Sequence, residues 1–347
     1  MVIPPVDLNH RAPTATCQNF CVSPLGCGLL ALILMTLSLP ADSAALLFIA
    51  NSDSPTHREF LAQLRQWPAD DRLDFDTVET QENRLTGFII WLESVTPGRK
   101  SSPSRTRPHA RIGSGSLANL CQHVDVVVAI AGDAAREADK HCPIPVLTVL
   151  TPTSLLNPHF NPSRESARTA IYQEADPVAN LLMIRELLPK ANTIGVLVSP
   201  QQRARLPHLR AEADRLRFHL EEIIATNDEE AVRALRKRIS TLDALLLLPD
   251  LQLINAWSLK PILLMTIRQG VPTFGGPTAE YVRAGVLAAV VADLDRLPAQ
   301  IMSVAQRLAD GDNPAPAYPK ATRVVINSTV AGALSISIPS TWNAYAE

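Results

Sequence analysis

The stretch from Ser166 to Pro200 most constrains the fold, because it combines a polar linker, an amphipathic helical pattern and a buried strand. Asp176-Pro177 predicts the start of the helix, since the first helical positions do not need the N–H that proline lacks. The apolar residues 194–199 predict the strand. Short apolar runs alternate with helical patterns on both sides of this stretch, so we expect it to join two α/β halves that contain parallel sheets.

The length of the chain favours two lobes. It has 347 residues, whereas a single hydrophobic core rarely grows beyond about 250 to 300 residues. We predict two Rossmann-like lobes with parallel sheets, joined by a multi-strand hinge. Lobe 1 is expected to comprise residues 45–165 and 276–312, and lobe 2 residues 166–275 and 320–339. The proline-rich residues 313–319 are expected to cross between the lobes.

Short apolar runs mark most of the predicted strands. Up to residue 150 they lie at 45–50, 124–131 and 145–150, and after residue 190 at 194–199, 220–225, 244–248, 271–274, 286–291 and 322–326. Residues 74–80 alternate apolar and polar side chains, which predicts a further strand near an edge of the sheet. Between them, apolar residues at intervals of three and four predict helices that cover the sheets. This alternation is typical of a doubly wound fold, in which ligands bind beyond the carboxyl ends of the strands.

The first 44 residues have the layout of a secretory signal peptide. His10 and Arg11 give a weakly positive start, residues 29–39 are apolar, and small residues surround Ala44. The apolar run is shorter than the roughly 20 residues that span a bilayer, which argues against an uncleaved anchor. We therefore expect export to the periplasm and cleavage near Ala44.

Cys121 and Cys142 are the cysteines that remain after removal of residues 1–44. The predicted strand 124–131 runs up the sheet and the predicted helix 133–140 runs back, so both cysteines are expected at the same lower edge. A disulfide there is plausible and, closing a loop of about 20 residues, would stabilise the fold by about 3 kcal/mol in an oxidising compartment. Two separate buried thiols are the alternative.

The sequence lacks the motifs of several classes of enzyme and cofactor-binding protein. It contains no GxSxG, HExxH, Walker A or paired CxxC motif. The G-x-G-x-x-A match at 113–118 follows a basic loop, whereas a dinucleotide site requires a preceding strand. A zinc site at Cys121, His123, His141 and Cys142 is disfavoured, because the adjacent His141 and Cys142 would have to point at one metal ion. We predict no catalytic residue, no metal and no cofactor.

The distribution of charge bears on the partners of the protein. The formal net charge is only −2, so no global field attracts nucleic acid, and no nucleic-acid partner is predicted. Residues 97–116 are rich in proline, serine and basic residues and contain no acid. That composition favours a flexible, solvated loop, and a docking patch for an anionic partner is the alternative interpretation.

Polar residues and glycines follow several predicted strands, where the tips of both sheets are expected to meet in a cleft. These candidate ligand-binding residues are Ser52, Asp53, Gly132, Asp133, Ser199 and Asp250. Asp250 is suited to pair with a ligand ammonium group, and helix-start amides beside Gly132 are suited to hold a carboxylate. Asp133 as a helix cap and Asp53 as a turn residue are the alternative interpretations.

A series of short motifs occurs in a fixed order along the chain. The strongest are YQEADP at 172–177, LPKA at 188–191 and IGVLV at 194–198, and further motifs are DAL at 243–245, LPD at 248–250, GVPTF at 270–274, YVRAGVLAA at 281–289 and RVVIN at 323–327. Through them the chain, from about Ala45 to Pro339, resembles the substrate-binding proteins of ABC transporters. It is most similar to their tryptophan/tyrosine-type family, which has the type I periplasmic binding protein fold.

This resemblance implies a function. A small solute, an amino acid or a similar molecule, would bind between the lobes, and an ABC permease in the inner membrane would receive it. The resemblance also places Tyr172 and Gln173, at the crossing between the lobes, among the ligand-binding residues. We expect a monomer. A periplasmic sensor or accessory protein for a membrane receptor, which uses the same cleft, is the alternative.

Overall fold

Runs of buried apolar residues form two β-sheets, each with six strands in the part of the chain that is described. A computed structural model describes residues 44–51, 55–66, 75–79, 85–92, 116–156, 166–340 and 342. The predicted signal segment 1–44, apart from Ala44, and the predicted basic loop 97–116, apart from Ser116, lie outside the described residues.

The first sheet has mixed strand directions. Its strands are β1 (Ala44–Asn51), β2 (Phe75–Glu79), β3 (Leu85–Leu92), β4 (Val126–Ile130), β5 (Val146–Thr151) and β6 (Arg168–Tyr172). Their order across the sheet is β2-β3-β1-β4-β5-β6. The strands β1, β4, β5 and β6 run parallel, whereas β3 pairs antiparallel with both β1 and β2. The antiparallel pair of β2 and β3 therefore forms one edge of this sheet.

The second sheet is parallel except at one edge. Its strands are β7 (Thr193–Val198), β8 (His219–Ile224), β9 (Ala244–Leu247), β10 (Thr273–Gly275), β11 (Ala288–Ala292) and β12 (Thr322–Ile326). Their order is β12-β11-β10-β9-β7-β8, and the edge strand β12 pairs antiparallel with β11. The carboxyl ends of the other strands therefore lie at the same end of the sheet.

Helices cover both sheets. They are α1 (Pro55–Gln66), α2 (Leu117–Leu120), α3 (Ala131–His141), α4 (Thr153–Leu156), α5 (Pro177–Leu187), α6 (Pro200–Arg203), α7 (Leu206–Arg215), α8 (Asp228–Arg238), α9 (Leu259–Arg268), α10 (Ala279–Arg283), α11 (Leu297–Ala309) and α12 (Ser328–Ala333), with a 3₁₀ turn at Ile239–Thr241. Among the described residues, no helix is both long and apolar enough to cross a membrane.

The strand β1 is buried on both faces, which explains its continuous apolar sequence. Leu46 and Phe48 belong to a core formed with α1 and α11, and Phe48 stacks on Phe88 with ring centroids 4.9 Å apart. Leu47 and Ile49, on the opposite face, pack in a core with α3. Successive residues of a strand point to opposite faces, so one apolar run fills two cores.

Three segments of the described chain connect the lobes. They lie between β6 and α5, between β11 and α11, and between α11 and β12. Glu174, in the first segment, forms an isolated bridge with Val291 of β11, and the N–H of Tyr172, at the end of β6, donates to the carbonyl oxygen of Ala317 in the third segment at 3.0 Å. Residues from different parts of the sequence therefore meet at this hinge.

The observed sheets differ from the predicted lobe boundaries at two places. The boundary at residue 166 assigns β6 to lobe 2, but β6 pairs with β5 in the first sheet. The segment 276–312 assigns β11 to lobe 1, but β11 pairs with β10 and β12 in the second sheet. From that segment, α11 packs on the first sheet. The chain thus enters lobe 2 after residue 172 and returns after residue 292.

The structure contains a disulfide between Cys121 and Cys142, with Cα atoms 5.5 Å apart. The two cysteines end α2 and α3, and both are buried. Arg168 holds the same region, since its guanidinium donates to the Cys142 carbonyl oxygen at 2.9 Å and to the Asp139 carboxylate at 3.1 Å. The disulfide therefore joins two helix ends at the base of lobe 1.

Candidate functional site

A cavity of about 140 Å³, partly open to solvent, lies at the hinge end of the cleft between the lobes. Most of its wall comes from lobe 2, from the ends of β7 and β9 and from the starts of α5 and α7. Lobe 1 contributes Thr153 and the third crossing contributes Tyr318.

One side of the cavity is apolar. Leu197 and Val198 end β7, and Leu206 and Leu209 lie on α7, which begins with a proline in its first turn. These four residues are buried, and Leu248 extends the same surface. A ligand with an apolar part can bury it here, with a stabilisation of about 25 cal/mol for each Å² removed from water.

Asp250 follows β9 and is only 3% exposed, although it lines the cavity. Its Oδ2 accepts a hydrogen bond from the Ser199 N–H at 2.9 Å. In the described part of the chain, no cationic side chain pairs with Asp250, and no hydrogen bond engages its Oδ1. A buried carboxylate without a counter-charge is costly, so Asp250 is suited to receive a ligand group.

Asp176 is a second carboxylate in the wall. It caps the N-terminus of α5, because its Oδ1 accepts a hydrogen bond from the Val178 N–H at 3.0 Å. Pro177 follows at the first helical position, which fixes the start of the helix at the cavity. Like Asp250, Asp176 pairs with no cationic side chain among the described residues.

Arg205 connects the two lobes across the cleft. It lies between α6 and α7 in lobe 2, and its Nη1 donates a hydrogen bond to the Thr153 carbonyl oxygen in lobe 1 at 2.8 Å. Gln202 makes a weaker contact of the same kind, with its Nε2 3.5 Å from the Ser154 carbonyl oxygen. The lobes are therefore in direct contact at the hinge end of the cleft.

Glu174 lies behind this contact and is 3% exposed. Its carboxylate accepts the Thr153 N–H, with Oε1 at 3.1 Å. Burial raises the pKa of Glu174 above its ordinary value, while the bonds to Thr153 and the positive charge of Arg205 oppose that rise. Thr153 is thus held by Glu174 through its N–H and by Arg205 through its carbonyl oxygen.

Tyr318 and Tyr172 form an edge-to-face pair at the hinge, with ring centroids 5.0 Å apart. Burial is the main cause that raises the pKa of Tyr318, and the negative charges of Glu174 and Asp176 raise it further. The pKa of Tyr172 is also raised, mainly by burial. Both phenols therefore stay neutral hydrogen-bonding groups beside the cavity.

A separate polar cluster lies in lobe 1, at the carboxyl end of β1. Asn51 donates to Asp133 at 3.2 Å, and Arg136 forms an ion pair with the same carboxylate. His57 lies nearby, where burial lowers its pKa and the charge of Asp133 opposes that shift. In this cluster the carboxylate has partners from the protein itself.

The predicted ligand-binding residues are distributed unevenly. Asp250 lines the cavity, the Ser199 N–H binds its carboxylate, and Tyr172 contacts Tyr318. The Gln173 N–H donates to the Thr151 carbonyl oxygen at 3.2 Å, beside Thr153.

Four predicted residues lie elsewhere. Gly132 and Asp133 are at the start of α3, in the lobe 1 cluster, and do not line the cavity in the described structure. Ser52 and Asp53 lie outside the described residues. The prediction that helix-start amides beside Gly132 hold a ligand carboxylate therefore concerns a different part of the cleft.

Four cavity residues were not predicted as ligand-binding candidates: Thr153, Asp176, Arg205 and Tyr318. Asp176 could have been found from the sequence, since an aspartate before a proline marks a helix start, where one carboxylate oxygen caps the helix and the other can bind a ligand. Arg205 and Tyr318 follow no predicted strand, so a search of strand ends does not find them. Among the described residues, no cluster of three or more His, Cys, Asp or Glu side chains is arranged to hold a metal ion.

Comparison with known proteins adds independent information. The model of a family described as ABC transporter substrate binding protein matches residues 116–347, more than half of the chain. A search of curated proteins found no match.

Two solved structures have a similar fold. One is the ABC domain of a Streptococcus pneumoniae protein in complex with L-Trp, with 19% identity, a TM-score of 0.50, and coverage of 66% of this chain and 83% of that chain. The other is the ligand-free, open structure of a Clostridium difficile substrate binding protein with adhesive properties, with 19% identity, a TM-score of 0.50, and coverage of 66% and 80%. At these identities the likeness concerns the fold alone.

Proposed function

Because the chain belongs to the family of ABC transporter substrate-binding proteins, we propose that it is an exported protein that captures a small solute for an ABC importer. Its fold is that of a type I periplasmic binding protein, as the sequence predicted. The family has a solute-binding role, and the finer proposal is that an amino acid or a similar molecule is carried to a permease in the inner membrane, without catalysis.

The observation that carries this proposal is the cavity at the hinge, with lobe 1, lobe 2 and a crossing segment all in its wall. A ligand that contacts both lobes binds the closed form better than the open form and so shifts the population toward closure. A shift from mostly open to mostly closed requires a preference of several kcal/mol, which calls for polar contacts from both walls.

The proposed contacts follow from the geometry. Asp176, Asp250 and Tyr318 would bind polar groups of the ligand, and the apolar wall on α7 would bury its remainder. The hydrogen bond between Arg205 and Thr153 would stabilise the closed form, because it joins the two lobes. Ser52, Asp53 and Gly132 remain the proposed ligand-binding residues of lobe 1, whereas the carboxylate of Asp133, also predicted to bind the ligand, is already paired with Arg136 and would make no direct contact.

Export is the second part of the proposal. The signal-like layout of residues 1–44 supports cleavage near Ala44, and the disulfide between Cys121 and Cys142 suits an oxidising compartment such as the periplasm. In such a location the protein would work as a monomer, with lobe 1 built on the first sheet and lobe 2 on the second.

A ligand screen tests the proposal. The purified protein should show a raised melting temperature with one class of amino acids, amines or small organic acids, because a ligand that binds the native state stabilises it. Small-angle scattering of the same sample should show a more compact molecule. Binding should weaken in Asp250→Asn and in Tyr172→Ala, while both variants remain folded.

A transport assay completes the test. Cells that lack the protein should lose uptake of the identified solute, and the intact gene should restore it. If no solute binds, or if binding is indifferent to both substitutions, the cleft is not the site and the proposed function is wrong.

A further inference from the structure

The charged side chains at the hinge end of the cleft do not balance. Asp176 and Asp250 line the cavity, and Glu174 lies directly behind Thr153. Among the described lining residues, Arg205 is the one arginine or lysine. In the described structure, three carboxyl groups and one guanidinium therefore lie at this end of the cleft.

The single guanidinium is already engaged by the protein. Arg205 donates to the Thr153 carbonyl oxygen at 2.8 Å, and its charge acts on the buried Glu174 carboxylate. Glu174 in turn holds the Thr153 N–H. Arg205 and Glu174 therefore both bind Thr153, and Asp176 and Asp250 have no cationic partner among the described residues.

Among the described residues, the other two carboxylates receive hydrogen bonds only from backbone N–H groups. Asp250, at 3% exposure, receives the Ser199 N–H on one oxygen, and Asp176 receives the Val178 N–H on one oxygen. A carboxylate that is withdrawn from water gains most from a counter-charge, because solvent screens such a pair weakly. A positive group of the ligand would supply the charge that the protein omits.

The groups around these two carboxylates also favour a ligand of positive charge. The negative charges of Glu174 and Asp176 contribute to the raised pKa of Tyr318, and of its neighbours only Arg205 opposes them. The electron-rich face of a tyrosine ring also attracts cations. Opposite these groups, Leu206 and Leu209 provide an apolar surface for the uncharged part of a ligand.

We propose that the cleft selects organic amines: the ligand's ammonium group binds between Asp176 and Asp250 beside Tyr318, and its apolar part packs against α7. This inference rests on the proposed solute-binding function and names the substrate class. A carboxylate on the ligand is not required for binding at this end of the cleft, and a ligand whose only charge is negative is rejected.

Three probes of matched shape test the inference by isothermal titration calorimetry at pH 7. Phenethylamine is a cation, phenylalanine is a zwitterion and 3-phenylpropionate is an anion. We expect phenethylamine to bind at least as tightly as phenylalanine and at least tenfold more tightly than 3-phenylpropionate. Asp250→Asn and Asp176→Asn should each weaken phenethylamine binding about tenfold, because asparagine keeps the hydrogen bond to the backbone and removes the charge.

Asp243→Asn is the matched control. Asp243 also accepts backbone N–H groups, from Asn192 and Thr193, but it lies at the opposite end of the second sheet. Its substitution should leave the affinity for phenethylamine within twofold of the wild-type value. Melting temperatures of all three variants verify that they are folded.

The outcomes separate the inference from the proposed function. If 3-phenylpropionate binds as tightly as phenethylamine, or if Asp250→Asn and Asp176→Asn both retain full affinity for the amine, the charge selection is wrong while solute binding stands. If none of the three probes binds, both the amine selection and the proposed amino-acid-like solute are wrong.

Discussion

The carboxylates on the cleft side of the two lobes differ in their partners within the protein. In lobe 1, Asp133 is paired with Arg136 and receives a hydrogen bond from Asn51. In lobe 2, Asp250 is more deeply buried and, among the described residues, its carboxylate receives only the Ser199 N–H, on one oxygen. A carboxylate paired within the protein needs no ligand, whereas an unpaired carboxylate is stabilised by a ligand of positive charge. This difference supports our proposal that lobe 2 carries the charge that recognises the solute.

The lobes also differ in how they are held together. Lobe 1 contains the disulfide between Cys121 and Cys142, whereas the sequence has no cysteine after residue 142. Lobe 2 is held by its two apolar cores on the faces of the second sheet. The disulfide is thus in lobe 1, whereas lobe 2 provides most of the cavity wall.

The largest expected effect concerns this bond. A Cys121→Ala/Cys142→Ala double variant should lose about 3 kcal/mol of unfolding free energy, because the unfolded chain regains the freedom of a loop of about 20 residues. Urea denaturation of the variant and of the wild type measures the loss. Reduction of the wild-type protein should give the same loss, and an unchanged stability in both cases would remove the contrast between the lobes.

The next effect compares the two carboxylates directly. Asp250→Asn should weaken phenethylamine binding about tenfold, which is about 1.4 kcal/mol, whereas Asp133→Asn should change it less than twofold. Titration calorimetry on both variants under one set of conditions measures the difference. A reversal of the two effects would place the recognising charge in lobe 1.

The buried Glu174 predicts a dependence of stability on pH. Its raised pKa means that the folded protein retains a proton that the unfolded chain has released above the ordinary glutamate pKa of 4.5. The unfolding free energy should therefore fall as pH rises through this range, by at most about 1.4 kcal/mol per pH unit for one proton. Glu174→Gln should make the profile flatter in urea denaturation at pH 5 to 8.

Glu222→Gln is the control of opposite sign. Hydrogen bonds from Arg210 lower the pKa of Glu222, so its contribution is present above the ordinary glutamate pKa and is lost as pH falls below it. This substitution should leave the slope between pH 5 and 8 unchanged. A Glu174→Gln profile parallel to that of the wild type over this range would show that Glu174 titrates normally.

The smallest effect is expected at the surface of lobe 2. Arg203 lies two residues before Arg205 and forms an exposed ion pair with Glu222 at 2.9 Å. Arg203→Ala should cost less than about 1 kcal/mol of stability, as exposed ion pairs do, and should leave binding unchanged. Chemical denaturation and calorimetry check both statements. A large loss of affinity would extend the recognition surface from the cavity to the outer face of α6.

Much of this fold could be predicted because its strands are short, buried and separated by amphipathic helices. β1 and β9 show this signal clearly. β3 was missed, although its residues Leu85–Leu92 include an apolar run, because it pairs antiparallel within a sheet that was expected to be parallel. β6 was interpreted as part of a linker, and its residues were assigned to lobe 2. β11 was predicted as a strand but assigned to lobe 1, since strand pairing decides which sheet a strand joins and no local pattern shows the partner.

The site was predicted in part for a similar reason. Ser199 and Asp250 follow strands, and the rule that ligands bind beyond strand ends finds them. Arg205 and Tyr318 come from a helix junction and from a crossing segment, and only the packing of the lobes brings them to the cavity. The charge imbalance depends on which side chains pair with each other, so it becomes visible only in the structure.

A crystal structure of the protein with phenethylamine would show directly where the amine binds. We expect the ammonium nitrogen within hydrogen-bonding distance of the Asp250 Oδ1 and of Asp176, with the phenyl ring against Leu206 and Leu209. An amine bound instead beside Asp133 in lobe 1, with the hinge cavity filled only by water, would contradict this expectation.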